Sequence, residues 1–214
     1  MPKNPMKSVQ RILGDVASDP GIATTLDVGS FITRGPDWVP TTPWWNRRAS
    51  RFVARHLSPG ARAFEWGGGG STIWLTRQGA SVTTIESDPT WVERVASQAP
   101  GVDIRLVRSA DDGVLRSEPW TRDDGAHFFD EYVASIDSFD DETFDLIIID
   151  GFCREACARR ARTKVRHGGL VVIDDTHFPE VAPALEVFDD WPTTRLRGFK
   201  ERFFLAETSV AIRP

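Results

Sequence analysis

The stretch Ala63-Phe-Glu-Trp-Gly-Gly-Gly-Gly-Ser-Thr72 decides how this chain is read. An acidic residue closes a short strand-like run, four glycines follow, and Thr72-Ile-Trp-Leu-Thr-Arg77 continues with helix-forming residues. Consecutive glycines let the backbone turn sharply and leave no Cβ in the way of a ligand lying against it. The free amides of the following helix point into the same space. This is the layout of a nucleotide-type ligand site at the first strand-to-helix turn of an α/β sheet. It departs from the dinucleotide fingerprint. Counted from Gly67 or Gly68, the third glycine of G-x-G-x-x-G falls on Thr72 or Ile73. Glu65, directly before the glycines, would repel a pyrophosphate and favour a cation. An adenosine carrying an amino acid and a sulfonium therefore suits the turn better than a dinucleotide does.

Outward from the turn, strand and helix patterns alternate. Strands are predicted at 61–66, 81–86, 102–107, 144–150 and 170–174, with helices over 71–79, 88–98, 127–137, 152–166 and 179–190. Phe144-Asp-Leu-Ile-Ile-Ile-Asp150 is the near-continuous apolar run expected of a central parallel strand covered on both faces. Two further runs, 194–200 and 204–212, have no room for a helix between them and should pair antiparallel. The pattern predicts a doubly wound Rossmann-like α/β sheet of about seven strands with an antiparallel C-terminal hairpin. Residues 44–214 would form this domain, with a helix beginning at Pro43 or Trp44 and running to Leu57. Residues 1–43 read as a cap: an amphipathic helix over 7–18 (Val9, Ile12, Leu13, Val16), then an irregular proline-rich stretch.

Composition narrows the function classes. With 214 residues and a net charge of −5, there is no general attraction to nucleic acid or an anionic membrane. Arg159, Arg160, Arg162, Lys164 and Arg166 gather toward a helix C-terminus, where cations complement the helix dipole. The absence of a long apolar run or signal-like segment points to a soluble, cytoplasmic protein. Cys153 and Cys157 read as buried free thiols. Eight tryptophans are many. Trp38, Trp44 and Trp45 cluster before the glycine turn, where they could pack the cap, line a pocket or form a homodimer contact.

Three blocks in this order resemble the class I S-adenosylmethionine-dependent methyltransferases: Phe64-Glu-Trp-Gly-Gly-Gly-Gly-Ser71, Thr84-Ile-Glu-Ser-Asp88 and Phe144-Asp-Leu-Ile-Ile-Ile-Asp-Gly151. The resemblance covers residues 44–213. It implies that Glu65 and Gly67 hold the amino-acid end of the methyl donor, with Gly69 and Ser71 lining the turn, and that Glu86 takes the ribose hydroxyls. Asp150 would face the methyl group. Ser109, Asp111 and Asp112, after the third strand, become candidates for the adenine amino group, and Trp91 or Trp66 for stacking on its ring. The spacing agrees independently, since a carboxylate about 20 residues after the turn meets a ribose diol in such units.

Asp150 ends the fourth strand, and Asp174 and Asp175 end the fifth. On neighbouring strands these carboxylates would gather, at a cost unless a cation or protons neutralise them. Oxygen ligands of this kind suit Mg²⁺, which could grip a diol and lower a hydroxyl pKa. The same residues could instead cap the following helix and end the strand. The cluster resembles that of metal-dependent O-methyltransferases acting on catechols and antibiotic sugars. The catechol enzymes, however, carry a lysine shortly after the fourth-strand acid, where this chain reads Asp150-Gly-Phe-Cys-Arg154. Arginine stays protonated and cannot serve as base. Asp150, Asp175 and His177 are then the candidate catalytic groups, His177 as general base. The expected activity is methyl transfer to an oxygen, or less readily a nitrogen, of a small molecule, whose pocket would involve residues 1–43 and 108–137. The alternatives are a nicotinamide-dependent oxidoreductase and a non-catalytic binding protein on the same fold.

Overall fold

The computed structural model describes residues 5–19, 39, 41–117, 127–200 and 204–214. Trp38, Trp120 and most of the expected cap lie outside them. Within them, seven strands form one sheet: β1 (Arg62–Trp66), β2 (Ser81–Glu86), β3 (Asp103–Leu106), β4 (Phe144–Ile149), β5 (Val165–Ile173), β6 (Thr193–Lys200) and β7 (Phe204–Ile212). Their order is β3-β2-β1-β4-β5-β7-β6. The first five run parallel, and β7 inserts antiparallel between β5 and β6. Strand order reverses between β1 and β4, so the crevice at their carboxyl ends is where this architecture binds ligands.

Alternation along the central strands explains the two helical layers. Leu146 and Ile148 of β4 pack with Ala49 and Val53 of helix α2 (Arg47–His56) and Leu75 of α3 (Gly70–Arg77). Ile147 and Ile149 face the other way. They pack with residues of α5 (Asp130–Ala134), α6 (Arg154–Lys164) and α7 (Ala182–Glu186). Helix α4 (Pro89–Gln98) joins α3 through Ile73, Val95, Ala99 and Val39. Each buried Ile or Val contributes about 1.5–3 kcal/mol of transfer free energy, so both faces of β4 must be covered.

Several element limits differ from the sequence reading. Helix α2 starts at Arg47, not at Pro43 or Trp44, because the buried Asn46 caps it and accepts from the Arg48 and Ala49 amides at 3.1 Å each. The helix expected over 179–190 is reduced to five residues: Pro183 is tolerated only in a first turn, and the chain turns toward Trp191-Pro192. Helix α5 gives way to a 3₁₀ turn, Ser135–Ser138, whose serine hydroxyls donate to backbone carbonyls. Helix α6 begins at Arg154 because Cys153 sits in the left-handed region at φ 52°. Strand β5 starts earlier than expected, since a register shift against β4 absorbs residues 166–169. The amino-terminal helix α1 (Pro5–Ser18) is present, and Asp19 beyond it pairs with Arg48 at 3.1 Å. Among the described residues no helix is long and apolar enough to cross a membrane.

Candidate functional site

The carboxyl ends of β1, β2, β4 and β5 open into a cleft of about 560 Å³. Its floor is the glycine turn. Gly67 adopts φ +89°, and a Cβ there would stand 2.8–2.9 Å from the Asp150 and Gly151 backbones. A side chain is thus excluded twice, by conformation and by the neighbouring strand end. At Gly151 the constraint is space alone, since a Cβ would collide with the Tyr132 hydroxyl.

Glu65 lies behind this turn, fully buried and outside the cleft lining. Its carboxylate accepts from Ser71, from Thr72 at 2.5 Å and from Thr84 at 3.0 Å. Thr72 also accepts from the Gly69 amide at 2.9 Å. The residue expected to meet the ligand directly instead ties the first turn of α3 to β1 and β2. Burial raises its pKa to about 7, against the pull of the three hydroxyls.

Glu86 does reach the cleft. Its oxygens accept from the amides of Ser87 at 2.7 Å, Gly68 at 3.0 Å and Asp88 at 3.1 Å. The Ser87 hydroxyl, at 3.5 Å, shares Glu86 Oε1 with the Ser87 and Asp88 amides, whereas among the described residues Oε2 accepts from Gly68 alone and so keeps a lone pair for a ligand hydroxyl. Burial pushes its pKa up, while these amides hold it back. Trp91 lines the same region and donates its indole N–H to the Gly68 carbonyl at 2.5 Å. Trp44 packs on it with ring centroids 5.8 Å apart. Trp66, the other stacking candidate, is fully buried and donates to the Tyr132 carbonyl at 2.9 Å.

Opposite Glu86 stand the carboxylates of β4 and β5. Asp150, Asp174 and Asp175 offer oxygens within 4.8 Å of one another, as their strand positions imply. Asp150 and Asp175 line the cleft, while Asp174 is buried behind them. Their neutralisation comes from the chain itself. Lys200 of β6 pairs with Asp174 and, at 2.6 Å, with Asp175. The buried Arg154 lies 3.3 Å from Asp150 and 3.8 Å from Asp175. Its guanidinium also donates to the Gly151 carbonyl at 3.0 Å and the Asp174 carbonyl at 2.6 Å, holding the ends of β4 and β5 together. Thr208 donates to the remaining Asp174 oxygen at 2.6 Å. Mg²⁺ would need several of these oxygens at about 2.0–2.1 Å. With both Asp174 oxygens engaged and an ammonium on two of the three carboxylates, this arrangement does not fit the ion. Burial and the charge of Asp174 push the Asp150 pKa well above the usual carboxylate range, while Lys200 holds that of Asp174 down despite burial.

Gly67, Gly69, Ser71, Glu86, Asp150 and Asp175 thus come together in one cleft. Other candidates do not. His177 is exposed, outside the cleft lining, and its Nδ1 accepts from the Glu207 amide at 3.3 Å. Ser109 is half-buried and Asp111 and Asp112 are exposed, all away from the lining, with Asp111 3.9 Å from His127. The sequence reading passed over Phe152 and Lys200 and treated Arg154 only as an unsuitable base. Phe152, two residues beyond Asp150, stacks on Phe129 at 4.3 Å and lines the cleft. Its place after the strand-end acid was the available signal. Each cation of the α6 cluster pairs with a carboxylate: Arg159 with Glu155, Arg160 with Asp137, Arg162 with Asp190, Lys164 with Asp141 and Arg166 with Asp145.

No model of a known protein family and no curated protein matches the sequence. Solved structures do match. An O-methyltransferase from Bacillus cereus in complex with SAH superposes with a TM-score of 0.54 at 17% identity, covering 100% of this chain and 93% of that one. The O-methyltransferase TomG from Streptomyces achromogenes, in complex with SAM, gives 0.53 at 19% identity over 76% of this chain and 77% of its own. A Burkholderia thailandensis N1-methyltransferase with bound 1,6-didemethyltoxoflavin and S-adenosylhomocysteine gives 0.50 at 15% identity, with 97% and 88% covered. The chain has the Rossmann-like fold that these methyltransferases share.

Proposed function

We propose that this protein transfers a methyl group from S-adenosylmethionine to a hydroxyl of a small molecule. The observation that carries the reading is one cleft in which the glycine turn and Glu86 face the paired carboxylates of Asp150 and Asp175. The cleft volume is within the range of small-ligand sites. Trp44, Trp91 and Phe152 offer flat apolar walls, and Glu86 offers acceptors for a vicinal diol. Tyr132 lines the cleft, with its hydroxyl buried beside Gly151 and the Phe152 backbone.

S-adenosylmethionine supplies an activated methyl group on a cationic sulfur. The chain supplies the surroundings. Acidic side chains stand on both sides of the cleft, Glu86 on one and Asp150 and Asp175 on the other, surroundings that suit a cationic donor better than an anionic one. Among the described residues, Asp150 keeps one oxygen without a donor, open to take the proton of an acceptor hydroxyl. The turn and strand ends hold both partners in line, which is the larger part of such catalysis. The donor site belongs to residues 44–214. The segments expected to build the acceptor pocket, 1–43 and 108–137, lie in part outside the described residues; Tyr132 within them and Trp44 beside them line the cleft. The O-methyltransferases among the structural neighbours support oxygen as acceptor.

Calorimetric titration with S-adenosylhomocysteine tests this. Micromolar binding is expected for the native protein, weakened about tenfold or more in Glu86→Ala, since hydrogen bonds to a charged group contribute about 1.5–3 kcal/mol. No binding to the native protein overturns the reading, and binding of NAD(H) in its place assigns the cleft to an oxidoreductase.

A further inference from the structure

We infer that Lys200 is a built-in substitute for a divalent cation, so that the acidic cluster at the ends of β4 and β5 works without metal. The inference deepens the methyl-transfer reading of this cleft. Three carboxylates with ligand oxygens within 4.8 Å of one another form a geometry that a hard cation would occupy if nothing else neutralised it. Lys200 supplies that neutralisation from the far side of the sheet. It closes the β6–β7 pairing opposite Phe204, two strands from β5, and its Nζ lands on both Asp174 and Asp175. Its side chain is only 16% exposed.

The remaining oxygens are also engaged. Thr208 donates to Asp174 Oδ1, and Arg154 faces Asp175 Oδ2 and Asp150 Oδ1. Among the described residues this leaves Oδ2 of Asp150 as the cluster oxygen facing neither a cation nor a hydroxyl. A divalent ion would have to displace Lys200 from two carboxylates and sit beside the fixed charge of Arg154. Lysine, a compact charge on a flexible stem, can fill an ion's position in this way, while the planar guanidinium of Arg154 bridges the two strand ends.

The test is divalent-ion binding, read by Mn²⁺ electron paramagnetic resonance and calorimetry on the full chain. Native protein is expected to bind no Mn²⁺ at millimolar concentration, and chelator should leave S-adenosylhomocysteine binding unchanged. Lys200→Ala should bind Mn²⁺ at least about tenfold more tightly than native protein, as the unmasking of two carboxylates implies. Adding Asp150→Asn should abolish the gain. Lys200→Met, which preserves the apolar stem, guards against loss of folding, checked by circular dichroism. Submillimolar Mn²⁺ binding to native protein that is lost in Asp150→Asn overturns the inference. Absence of any gain in a folded Lys200 variant does so as well. S-adenosylhomocysteine binding is a separate readout, so failure of the donor reading would appear there and not in the Mn²⁺ signal.

Discussion

Glu65 shows how one buried side chain can be both structural and pH-sensitive. It is shut away from solvent with three hydroxyls on its carboxylate, and its pKa rises from the model-peptide 4.5 to about 7. The folded state therefore holds the proton more tightly than the unfolded chain does. Its stabilising effect is complete below the unfolded value and is lost as pH rises through the folded one. At 1.36 kcal/mol per pKa unit, the shift corresponds to roughly 3 kcal/mol. Glu65→Gln, which removes the titration, should flatten this dependence. Denaturant unfolding from pH 4.5 to pH 8 should show native protein losing about 3 kcal/mol relative to the variant. Parallel pH profiles for the two would remove Glu65 as the titrating group. The same residue illustrates what spacing can and cannot reveal. Its place before the glycines is plain in the sequence, but its occupation by Ser71, Thr72 and Thr84 depends on the fold bringing β2 and α3 around it.

At the scale of elements, α2 is stitched to the C-terminal hairpin by one capping side chain. Asn46 accepts from the first-turn amides of α2 and donates through Nδ2 to the Leu196 carbonyl at 2.8 Å and to Thr208 at 3.3 Å. A lost cap costs about 1 kcal/mol. Leaving buried groups of β6 and β7 without their donor adds about 1–3 kcal/mol. Asn46→Ala should thus destabilise by about 2–4 kcal/mol in denaturant unfolding. Asn46→Asp should fail to rescue, because it keeps the cap oxygen but loses both donors and buries a charge. Full rescue by Asp would assign the whole effect to the helix cap. Thr208, which Asn46 contacts, also donates to Asp174, so this stitch continues into the acidic cluster.

Across the whole molecule, legibility followed sequence distance. The glycine turn, Glu86 and the apolar run of β4 each carry a local pattern, and the parallel order of the five strands follows from alternation with helices. The gathering of Asp150, Asp174 and Asp175 was readable because strand ends lie at one edge of such a sheet. Lys200 was not. Nothing local marks the end of β6 as a partner of β5, since an intervening antiparallel strand separates them and only the closed sheet aligns their ends. The early stop of α7 and the 3₁₀ continuation of α5 were missed because Pro183 and the serines act through geometry that periodicity does not register.

The placing of the tryptophans has an optical consequence. Trp45 and Trp66 are buried in the core, whereas Trp91 and the 47%-exposed Trp44 form a tilted pair on the cleft wall. An aromatic ligand entering the cleft must displace water from these two indoles, so the chain carries an intrinsic fluorophore pair at its own binding site. Titration with S-adenosylhomocysteine should shift or quench the emission, and Trp91→Phe should remove most of the change while leaving the core emission in place. An unaltered signal in that variant would move the reporter, and the ligand, away from this wall.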